Sequence, residues 1–254
     1  MTNKRTTVIT GATSGIGEAT ARLLAKGPYR LVLCGRREDR LAKLKEELSD
    51  LSEVHTLCFD VRDRGAVEKS LKTLPQEWQE IDVLINNAGN AHGLDPFHEG
   101  SIEDWEAMLD INVKGLLYMS RAISPGMVER KSGHIINIGS IAGKEVYPRG
   151  NVYCGSKFAV DAISSGMRID LVPYNVKVSL VNPGLVNTEF SKVRFKGDQE
   201  KADATYSGMQ PLVGDDIANI IGFILGLPAH VNISDLTTFP ASQASAAIVH
   251  RESN

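Results

Sequence analysis

A tyrosine and a lysine four positions apart could together transfer a proton. Tyr153 begins the stretch YCGSK and Lys157 ends it, so on a helix both side chains lie on one face. A phenol with an ordinary pKa of about 10 is a poor base at neutral pH, but a nearby ammonium favours its phenolate. At about 4 Å and an effective dielectric constant of about 20 the attraction is roughly 4 kcal/mol, or about three pKa units before any desolvation cost. The spacing therefore indicates a phenol within working range for acid–base chemistry.

Ser140 is a second candidate for contact with a reacting oxygen. It closes INIGS, the end of the fifth candidate strand. Ligands of open α/β sheets bind at the carboxyl ends of the strands. The Ser140 hydroxyl could therefore hold a substrate oxygen.

A glycine-rich turn follows the first candidate strand and precedes a helix. In TGATSGIGEATARLLA the glycines are Gly11, Gly15 and Gly17. Glycines permit a tight turn and close approach of the backbone to a pyrophosphate, which the N–H groups and positive end of the helix then bind. In isolation they could be turn residues only, but a strand before and a helix after is the context that dinucleotide binding requires.

The end of the second candidate strand indicates which nucleotide binds. NAD sites place an acidic residue there for the ribose 2′-hydroxyl, whereas a 2′-phosphate requires arginine. The strand ends LVLCGRRED, in which Gly35 stands where the acid would be and Arg36 and Arg37 offer planar, charged forks. The sequence therefore predicts NADP. The alternative is a solvated helix start, in which Arg37 is balanced by Glu38 and Asp39.

These residues lie among strands and helices that alternate along the chain. Helical stretches such as 16–26 and 40–51 have apolar residues at three- and four-residue intervals. The alternation predicts an α/β fold, with one doubly wound, seven-stranded parallel sheet and helices on both faces. No repeat or linker divides the chain, so we predict one domain over residues 1–254. The candidate strands are 6–10, 30–35, 54–61, 81–89, 133–140, 176–184 and 233–239.

Composition and charge argue against several classes of protein. The 254-residue chain is 42% hydrophobic and 23% charged, with a formal net charge of -3. It has no dense basic tract, so we predict a small-molecule partner rather than nucleic acid or a membrane surface. The sequence shows no signal peptide or long apolar run, and Cys34, Cys58 and Cys154 form no C-x-x-C pair, so we expect a cytoplasmic protein. Six histidines without paired metal spacing predict no metal site.

Further motifs stand in a fixed order along the chain: TGATSGIG, DV at 60–61, NNAG at 86–89, Asn112 in DINVKG, Ser140, YCGSK and VNPGLVNTEF at 181–190. In this order and spacing they resemble the short-chain dehydrogenase/reductase family over nearly the whole chain. The resemblance implies a Rossmann fold and NADP-dependent chemistry on a CH–OH group. It implies that Tyr153 is the acid–base residue, that Lys157 lowers its pKa and holds the nicotinamide ribose, and that Ser140 orients the reacting oxygen. It further implies that Asn112 positions a water in a proton relay to Lys157.

The resemblance also implies which residues bind NADP. Asp60 and Val61 would contact the adenine, Asn87 would flank the adenine ribose, and Pro183 to Thr188 would cover the nicotinamide. Two departures from the family pattern are the Cys154-Gly155 pair and a glycine loop without the basic residue of some NADP-dependent members. The cofactor residues implied are Gly11, Thr13, Ser14, Gly15, Ile16, Gly17, Arg36, Arg37, Asp60, Val61, Asn87, Ala88, Gly89, Tyr153, Lys157, Pro183, Gly184, Val186 and Thr188.

Later segments narrow the substrate. VNTEFSKVRFKGD, LPAHVNISDL and FPASQASAAIVHR resemble the NADP-dependent 3-hydroxy acid dehydrogenases, which oxidise serine, L-allo-threonine and 3-hydroxyisobutyrate-type acids. We therefore predict hydride transfer at C3 of a small acid of these or the 3-hydroxypropionate type, held by Ser140 and Tyr153. A substrate lid is expected at about 187–212, because specificity usually resides in such segments.

Three cations are candidates for the substrate carboxylate. Arg194 would bind it as a bidentate fork, with Lys196 contributing field rather than contact. Arg149, close to Tyr153 in sequence, is the rival clamp. The alternative is that Arg194 and Lys196 are solvated and paired with Glu189, Asp198 or Glu200.

Two other functions stay open from the sequence. A general carbonyl reductase would act on uncharged ketones or carrier-bound 3-oxoacyl groups. A non-enzymatic NADP-binding regulator would keep the glycine loop without needing Asn112, Ser140, Tyr153 and Lys157 together. The family resemblance also implies a homotetramer assembled through helices at 103–130 and 151–172.

Overall fold

A parallel sheet of seven strands forms the centre of the protein. The computed structural model describes residues 4–252. The sheet strands are β1 (Arg5–Thr10), β2 (Tyr29–Gly35), β3 (Val54–Cys58), β4 (Val83–Asn86), β5 (Gly133–Ile138), β6 (Val176–Pro183) and β9 (Asp235–Thr238). Their order is β3-β2-β1-β4-β5-β6-β9 and all six pairings are parallel, so the predicted sheet is confirmed.

Helices cover both faces of this sheet, because successive side chains of a strand point to opposite faces. On one face Ile9 and Leu31 are buried against α1, α2 and α9. On the other face Val8 and Leu84 are buried against α3 and α5. The helices are α1 (Gly15–Leu24), α2 (Glu38–Leu48), α3 (Arg64–Lys72), α4 (Ile102–Leu109), α5 (Gly115–Arg130), α6 (Asn151–Leu171), α7 (Glu189–Arg194), α8 (Gln199–Ala204) and α9 (Gly214–Gly226).

The strand order reverses between β1 and β4. In such sheets a crevice opens beyond the carboxyl ends of the strands at the point of reversal. The glycine turn after β1 and the NNAG segment after β4 both lie at this edge. The fold therefore brings together motifs that are far apart in sequence.

Several predicted strands, including 133–140 and 233–239, are longer than the strands that form, and two others extend into segments that line the crevice. The runs 54–61 and 81–89 were each expected to be a single strand, but the structure has only Val54–Cys58 and Val83–Asn86 as strand. The backbone turns after each strand, where Arg62 N donates to the Asp60 carboxylate at 3.0 Å and Asn87 N donates to the Ile85 carbonyl at 3.1 Å. The residues that leave the sheet are available to line the crevice.

The predicted helix at 103–130 is interrupted. Its two parts, α4 and α5, are joined by a wide π turn at Asp110–Lys114, in which the Gly115 N–H donates to the Asp110 carbonyl. Such turns occur frequently at functional sites, and this one contains Asn112. The helix predicted at 151–172 is confirmed as α6.

The segment after β6 is more regular than its sequence indicates. VRFKGD has no helical periodicity, yet Val193 and Arg194 end the short helix α7. Lys196 and Gly197 then adopt positive φ angles of 53° and 94°, which end the helix. A short parallel pair, β7 (Val186–Asn187) with β8 (Leu212–Val213), closes the segment. No helix in residues 4–252 combines the length and apolar character that a membrane crossing requires.

Candidate active site

A cleft of about 430 Å³ opens at the carboxyl edge of the sheet, and most of the predicted site residues line it. Three predicted residues do not line it: Gly17, Asn112 and Arg149. Within residues 4–252 no group of three or more His, Cys, Asp or Glu side chains could hold a metal ion. The predicted residues that line the cleft are Gly11, Thr13, Ser14, Gly15, Ile16, Arg36, Arg37, Asp60, Val61, Asn87, Ala88, Gly89, Ser140, Tyr153, Lys157, Pro183, Gly184, Val186, Thr188 and Arg194.

The glycine loop needs its glycines for two different reasons. Gly11 and Gly15 have φ angles of +64° and +54°, a region that side chains rarely adopt. Gly17 is buried, and a Cβ there would overlap the Gly11 carbonyl oxygen. Its contribution to the cofactor site is therefore the close packing of α1 against the loop. The cradle fits a pyrophosphate, with the start of α1 exposed to the cleft.

Asn87 fixes this loop from the neighbouring strand. Its side-chain amide donates to the Thr10 carbonyl at 2.9 Å and to the Gly11 carbonyl at 3.2 Å. Both amide hydrogens thus hold the backbone that would face the cofactor. Direct contact of Asn87 with the cofactor stays a prediction.

Arg37 crosses the cleft side of the glycine loop. Its guanidinium donates to the Thr13 hydroxyl at 2.9 Å and the Ser14 hydroxyl at 2.8 Å. It also pairs with Glu189 at 2.9 Å, which Arg40 binds in turn at 2.7 Å. Balancing by Glu38 and Asp39, the alternative from sequence, is therefore wrong. Arg37, directly before α2, supplies the positive charge that the glycine loop itself lacks.

The other predicted arginine of this region forms a weaker contact. Arg36 is exposed and lies 3.4 Å from the Asp60 carboxylate, which Arg62 binds at 2.7 Å. Partial burial favours the protonated form of Asp60, but hydrogen bonds and charge from Arg62 and charge from Arg36 prevail and lower its pKa. Gly35 cannot be replaced by an acid without displacing Thr13, because a Cβ would lie 2.9 Å from the Thr13 methyl group. The local structure thus fits a 2′-phosphate better than a free 2′-hydroxyl.

The predicted catalytic side chains meet beside α6. Tyr153 and Lys157 project from its first turns and are both buried, at 8% and 7% exposure. Ser140 begins the short turn after β5, where its hydroxyl accepts from Ala142 N at 3.1 Å. The Lys157 ammonium donates to the Ile138 carbonyl at 3.0 Å. Burial lowers the pKa of Lys157 to about 8.

Opposing influences act on the Tyr153 phenol. Burial raises its pKa, and so does Tyr147, whereas a hydrogen bond with Ser140 and the charge of Arg194 lower it. Cys154 raises it slightly further. The Lys157 ammonium lies 6.0 Å from the centroid of the ring. The effect of Lys157 on the pKa of Tyr153 stays a prediction.

The side chain of Asn112 is fully used in local pairing. Its amide oxygen accepts from Asn90 N at 2.9 Å, and its nitrogen donates to the Asn90 carbonyl at 2.9 Å and to Ser156 at 3.0 Å. These bonds hold the loop after β4 against α6. A Cβ on Gly89 would lie 2.9 Å from the Asn112 oxygen and 3.7 Å from the Lys157 nitrogen, so both side chains approach the position that a side chain on Gly89 would occupy. A relay water at Asn112 therefore stays a prediction.

Replacing Asn112 with leucine should reduce stability. The change leaves the buried Asn90 N–H, the Asn90 carbonyl and Ser156 without their partner, at a cost of about 2–3 kcal/mol. We expect the melting temperature to fall by roughly 5–10 °C, measured by calorimetry beside Asn219→Leu, an exposed site on α9. An unchanged melting temperature together with a lower kcat would instead assign the side chain to proton transfer alone.

Arg194 lines the cleft beside Tyr153. Its Nε donates to the Gly93 carbonyl at 3.2 Å, while Gly93 N donates to the Arg194 carbonyl at 3.0 Å. The guanidinium carbon lies 5.4 Å from the Tyr147 ring centroid and 5.6 Å from that of Tyr153. Burial raises the pKa of Tyr147, and the charge of Arg194 opposes that rise. None of the carboxylates proposed as its partner from sequence binds it in the described part of the chain.

The two other candidate cations are placed differently. Arg149 is exposed, has a φ of 64° and lines a small recess behind Arg194 rather than the cleft. Lys196 pairs with Asp104 at 2.9 Å and is 63% exposed. Its predicted alternative partners are therefore wrong, because Glu189 binds arginines and Asp198 binds Lys201 at 3.0 Å. The alternative of a solvated, ion-paired Lys196 is therefore right in kind, with Asp104 as its partner.

Several residues that line the cleft were not predicted, among them Tyr147, Phe190, Glu189 and Gln243. Tyr147 packs on Arg194, Phe190 meets the Tyr153 ring edge-on at 5.6 Å, and Glu189 joins α7 to Arg37. Gln243 accepts from Leu185 N at 2.8 Å. Each makes its contact through folding of distant segments or within an aperiodic loop, and no spacing in the sequence signals it.

Comparison with known proteins agrees with this geometry. The short chain dehydrogenase family matches residues 5–199. The chain is 49% identical to the NADP-dependent 3-hydroxy acid dehydrogenase YdfG of Salmonella typhi over 246 residues, which cover 96% of this chain and 98% of the relative. It is 43% identical to sulfoacetaldehyde reductase 2 of Chromohalobacter salexigens over 247 residues, with 96% and 98% covered. Among solved structures it resembles the closed form of serine dehydrogenase complexed with NADP⁺, with 48% identity, a TM-score of 0.91 and coverage of 97% and 100%.

The chain belongs to the short-chain dehydrogenase family. It is an NADP-dependent oxidoreductase that acts on CH–OH groups, as predicted. The alternative of a non-enzymatic NADP-binding regulator is thereby set aside. Its relatives support hydroxy acids as the general kind of substrate.

Proposed function

We propose that the protein transfers a hydride between NADP and C3 of a small 3-hydroxy acid of the serine, L-allo-threonine, 3-hydroxyisobutyrate or 3-hydroxypropionate type. The observation that carries this proposal is the Arg194 guanidinium, 5.6 Å from the Tyr153 ring and facing the same cleft. An arginine fork recognises a carboxylate. The name of the Salmonella typhi relative and the serine dehydrogenase structure support the same class.

The residues for NADP divide along the cleft. The glycine loop and the start of α1 would bind the pyrophosphate, and Arg37, assisted by Arg36, would bind the 2′-phosphate. Pro183, Gly184, Val186 and Thr188 would cover the nicotinamide, which supplies the hydride acceptor at its C4. The segment 187–212 would serve as the substrate lid.

Proton transfer falls to the residues of α6 and the turn after β5. During oxidation Tyr153 would remove the hydroxyl proton of the substrate, and Ser140 would donate a hydrogen bond to the oxygen that becomes a carbonyl. Lys157, with a pKa of about 8, would pass the proton from Tyr153 on toward solvent. Reduction would use the same groups in reverse.

A second substrate class fits the same guanidinium. In 3-hydroxypropionate and in 2-hydroxyethanesulfonate one carbon separates the anionic group from the carbinol carbon. An arginine binds both kinds of oxyanion. The similarity to sulfoacetaldehyde reductase 2 supports including hydroxysulfonates as substrates.

The proposed function is tested by substrates with and without an anionic group. We expect Arg194→Ala to raise KM for 3-hydroxypropionate by about 10–100-fold, because a charged hydrogen bond contributes about 1.5–3 kcal/mol. The KM for 1-propanol should change little, and Arg149→Ala should change neither. Assays are run on the alkaline plateau of each variant's pH profile, with NADP saturating.

Two outcomes would contradict this assignment. Equal loss on the acid and the uncharged alcohol would show that Arg194 does not recognise the anion. A parent enzyme that prefers uncharged or carrier-bound carbonyl substrates would favour the general carbonyl reductase that the sequence left open. Assays with 2-hydroxyethanesulfonate as substrate test directly whether hydroxysulfonates are also turned over.

We also propose a homotetramer in the cytoplasm. Leu109, Leu117, Phe158 and Ile169 expose 42%, 39%, 40% and 73% of their surface on α4, α5 and α6, which supports helix contacts between copies. The three cysteines Cys34, Cys58 and Cys154 are free thiols, which supports a reducing compartment. Light scattering of the purified protein measures its oligomeric state, and fractionation of cells measures its localisation.

A further inference from the structure

Two cations approach the ring of Tyr153 from different elements. The Lys157 ammonium, on α6 itself, lies 6.0 Å from the ring centroid. The Arg194 guanidinium, at the end of α7, lies 5.6 Å from it. Arg194 is thus about as close to the Tyr153 ring as Lys157, the lysine that the family motif pairs with this tyrosine.

We propose that Arg194 is a second cationic partner of Tyr153, so that one guanidinium both binds the substrate anion and stabilises the phenolate. The first of these roles rests on the proposed function. The second depends only on the distance and surroundings of the two side chains. Binding of a substrate anion would then weaken the support that Arg194 gives to the phenolate.

The surroundings of Tyr153 make a charge at this distance effective. The phenol is 8% exposed, and an opposite charge within about 4–6 Å favours an ionised group. The groups that act on it are Ser140 from the turn after β5, Tyr147 from the loop before α6, Cys154 on α6 and Arg194 on α7. Of these, Arg194 alone carries a charge.

Other charged groups near Tyr153 lie in the small recess that Tyr153 and Arg194 both line, or are paired in the cleft. That recess is also lined by His92, Asp95, Asp104 and Arg149. Asp104 binds Lys196 at 2.9 Å, and burial lowers the pKa of His92. In the cleft itself Glu189 is bound by Arg37 and Arg40, and Asp60 by Arg62 and Arg36.

The two cations are expected to differ in how they persist with pH. Burial lowers the pKa of Lys157 to about 8, so its ammonium loses charge as the pH rises through that value. An arginine guanidinium stays charged throughout this range. Stacking on Tyr147 and the bond to the Gly93 carbonyl hold Arg194 beside the phenol. Arg194 is therefore the lasting cation at the alkaline pH that favours oxidation.

A direct titration of Tyr153 tests this role without turnover. Near-ultraviolet tyrosinate absorbance is followed against pH with NADP saturating, and the curve of Tyr153→Phe is subtracted. We expect Arg194→Met to move the midpoint of Tyr153 upward by about one pH unit or more. Arg194→Lys, which keeps the charge, should move it less than half as far, and Lys196→Met should not move it.

A midpoint of Arg194→Met equal to that of the parent would overturn the proposal. So would equal shifts in Arg194→Met and Arg194→Lys, because the effect would then come from packing rather than charge. Circular dichroism and NADP affinity show whether each variant is folded. If Arg194→Met does not fold, Arg194→Gln replaces it. A Tyr153 midpoint in Arg194→Gln equal to that of the parent would then overturn the proposal.

Added propionate separates this inference from the proposed function. In the parent, propionate should raise the midpoint of Tyr153 by occupying Arg194, and in Arg194→Met it should have no effect. A shift caused by Arg194→Met without any propionate effect supports the charge role and contradicts carboxylate binding. The opposite outcome is also informative: propionate shifts the midpoint of the parent but not that of Arg194→Met, and the substitution alone causes no shift. This outcome supports anion binding by Arg194 and overturns its charge role.

Discussion

Replacing Tyr153 with phenylalanine should abolish nearly all turnover and leave NADP binding intact. The substitution removes one oxygen and keeps the ring, which packs in a buried cluster and meets Phe190 edge-on at 5.6 Å. The fold and the cleft should therefore persist. What is lost is the group that would take and return the substrate proton, and acid–base catalysis of this kind contributes about 10²–10⁴-fold.

The measurements for this prediction are kcat/KM on 3-hydroxypropionate and NADP affinity by fluorescence titration. The matched control is Tyr174→Phe, because Tyr174 is 41% exposed beyond the end of α6 and does not line the cleft. It should retain parent activity. Residual activity of Tyr153→Phe near that of the parent would mean that another group carries the proton.

Sequence alone predicts the parts of the site that depend on local spacing. The turn from β1 to α1 requires glycines because of two positive φ angles at Gly11 and Gly15, and a regular pattern of strand and helix surrounds it. Tyr153 and Lys157 share a face because α6 is an uninterrupted helix there. These residues were placed correctly because their neighbours in space are also their neighbours in the chain.

Strand ends and the π turn are harder to predict. Beyond Cys58 the stretch TLCFDV continues with the apolar Phe59 and Val61 on either side of Asp60, so hydrophobicity does not show where β3 ends. The turn is set instead by the Asp60 side chain, which accepts from Arg62 N. Likewise the wide turn at Asn112 depends on pairing with Asn90, a contact 22 positions away.

The charge partners of the cleft could not be predicted from the sequence. Glu189 and Arg37 are 152 positions apart, and Arg194 and Gly93 are 101 apart. Neighbours in sequence offered nearer opposite charges for these arginines, such as Glu38 and Asp198. The fold decides between them, because it brings Glu189, in the first turn of α7, against Arg37 and Arg40 at the start of α2.

Replacing Arg37 with alanine should weaken NADP binding by about 30–100-fold and leave NAD binding nearly unchanged. Arg37 is held beside the glycine loop by the hydroxyls of Thr13 and Ser14 at 2.9 and 2.8 Å, so its guanidinium is already positioned for a 2′-phosphate. Charge-assisted bonds to such a group contribute about 2–3 kcal/mol. Because NAD lacks the phosphate, it has no such interaction to lose.

Arg40→Ala is the control that distinguishes this role from a general loss of positive charge. Arg40 shares Glu189 with Arg37 but does not line the cleft, so its removal should affect both cofactors to the same small extent. Dissociation constants for NADP and NAD, measured by fluorescence titration at one ionic strength, give the comparison. If Arg37→Ala weakens both cofactors equally, its contacts with Thr13 and Ser14 support the glycine loop and the 2′-phosphate is bound elsewhere, with exposed Arg36 the next residue to test.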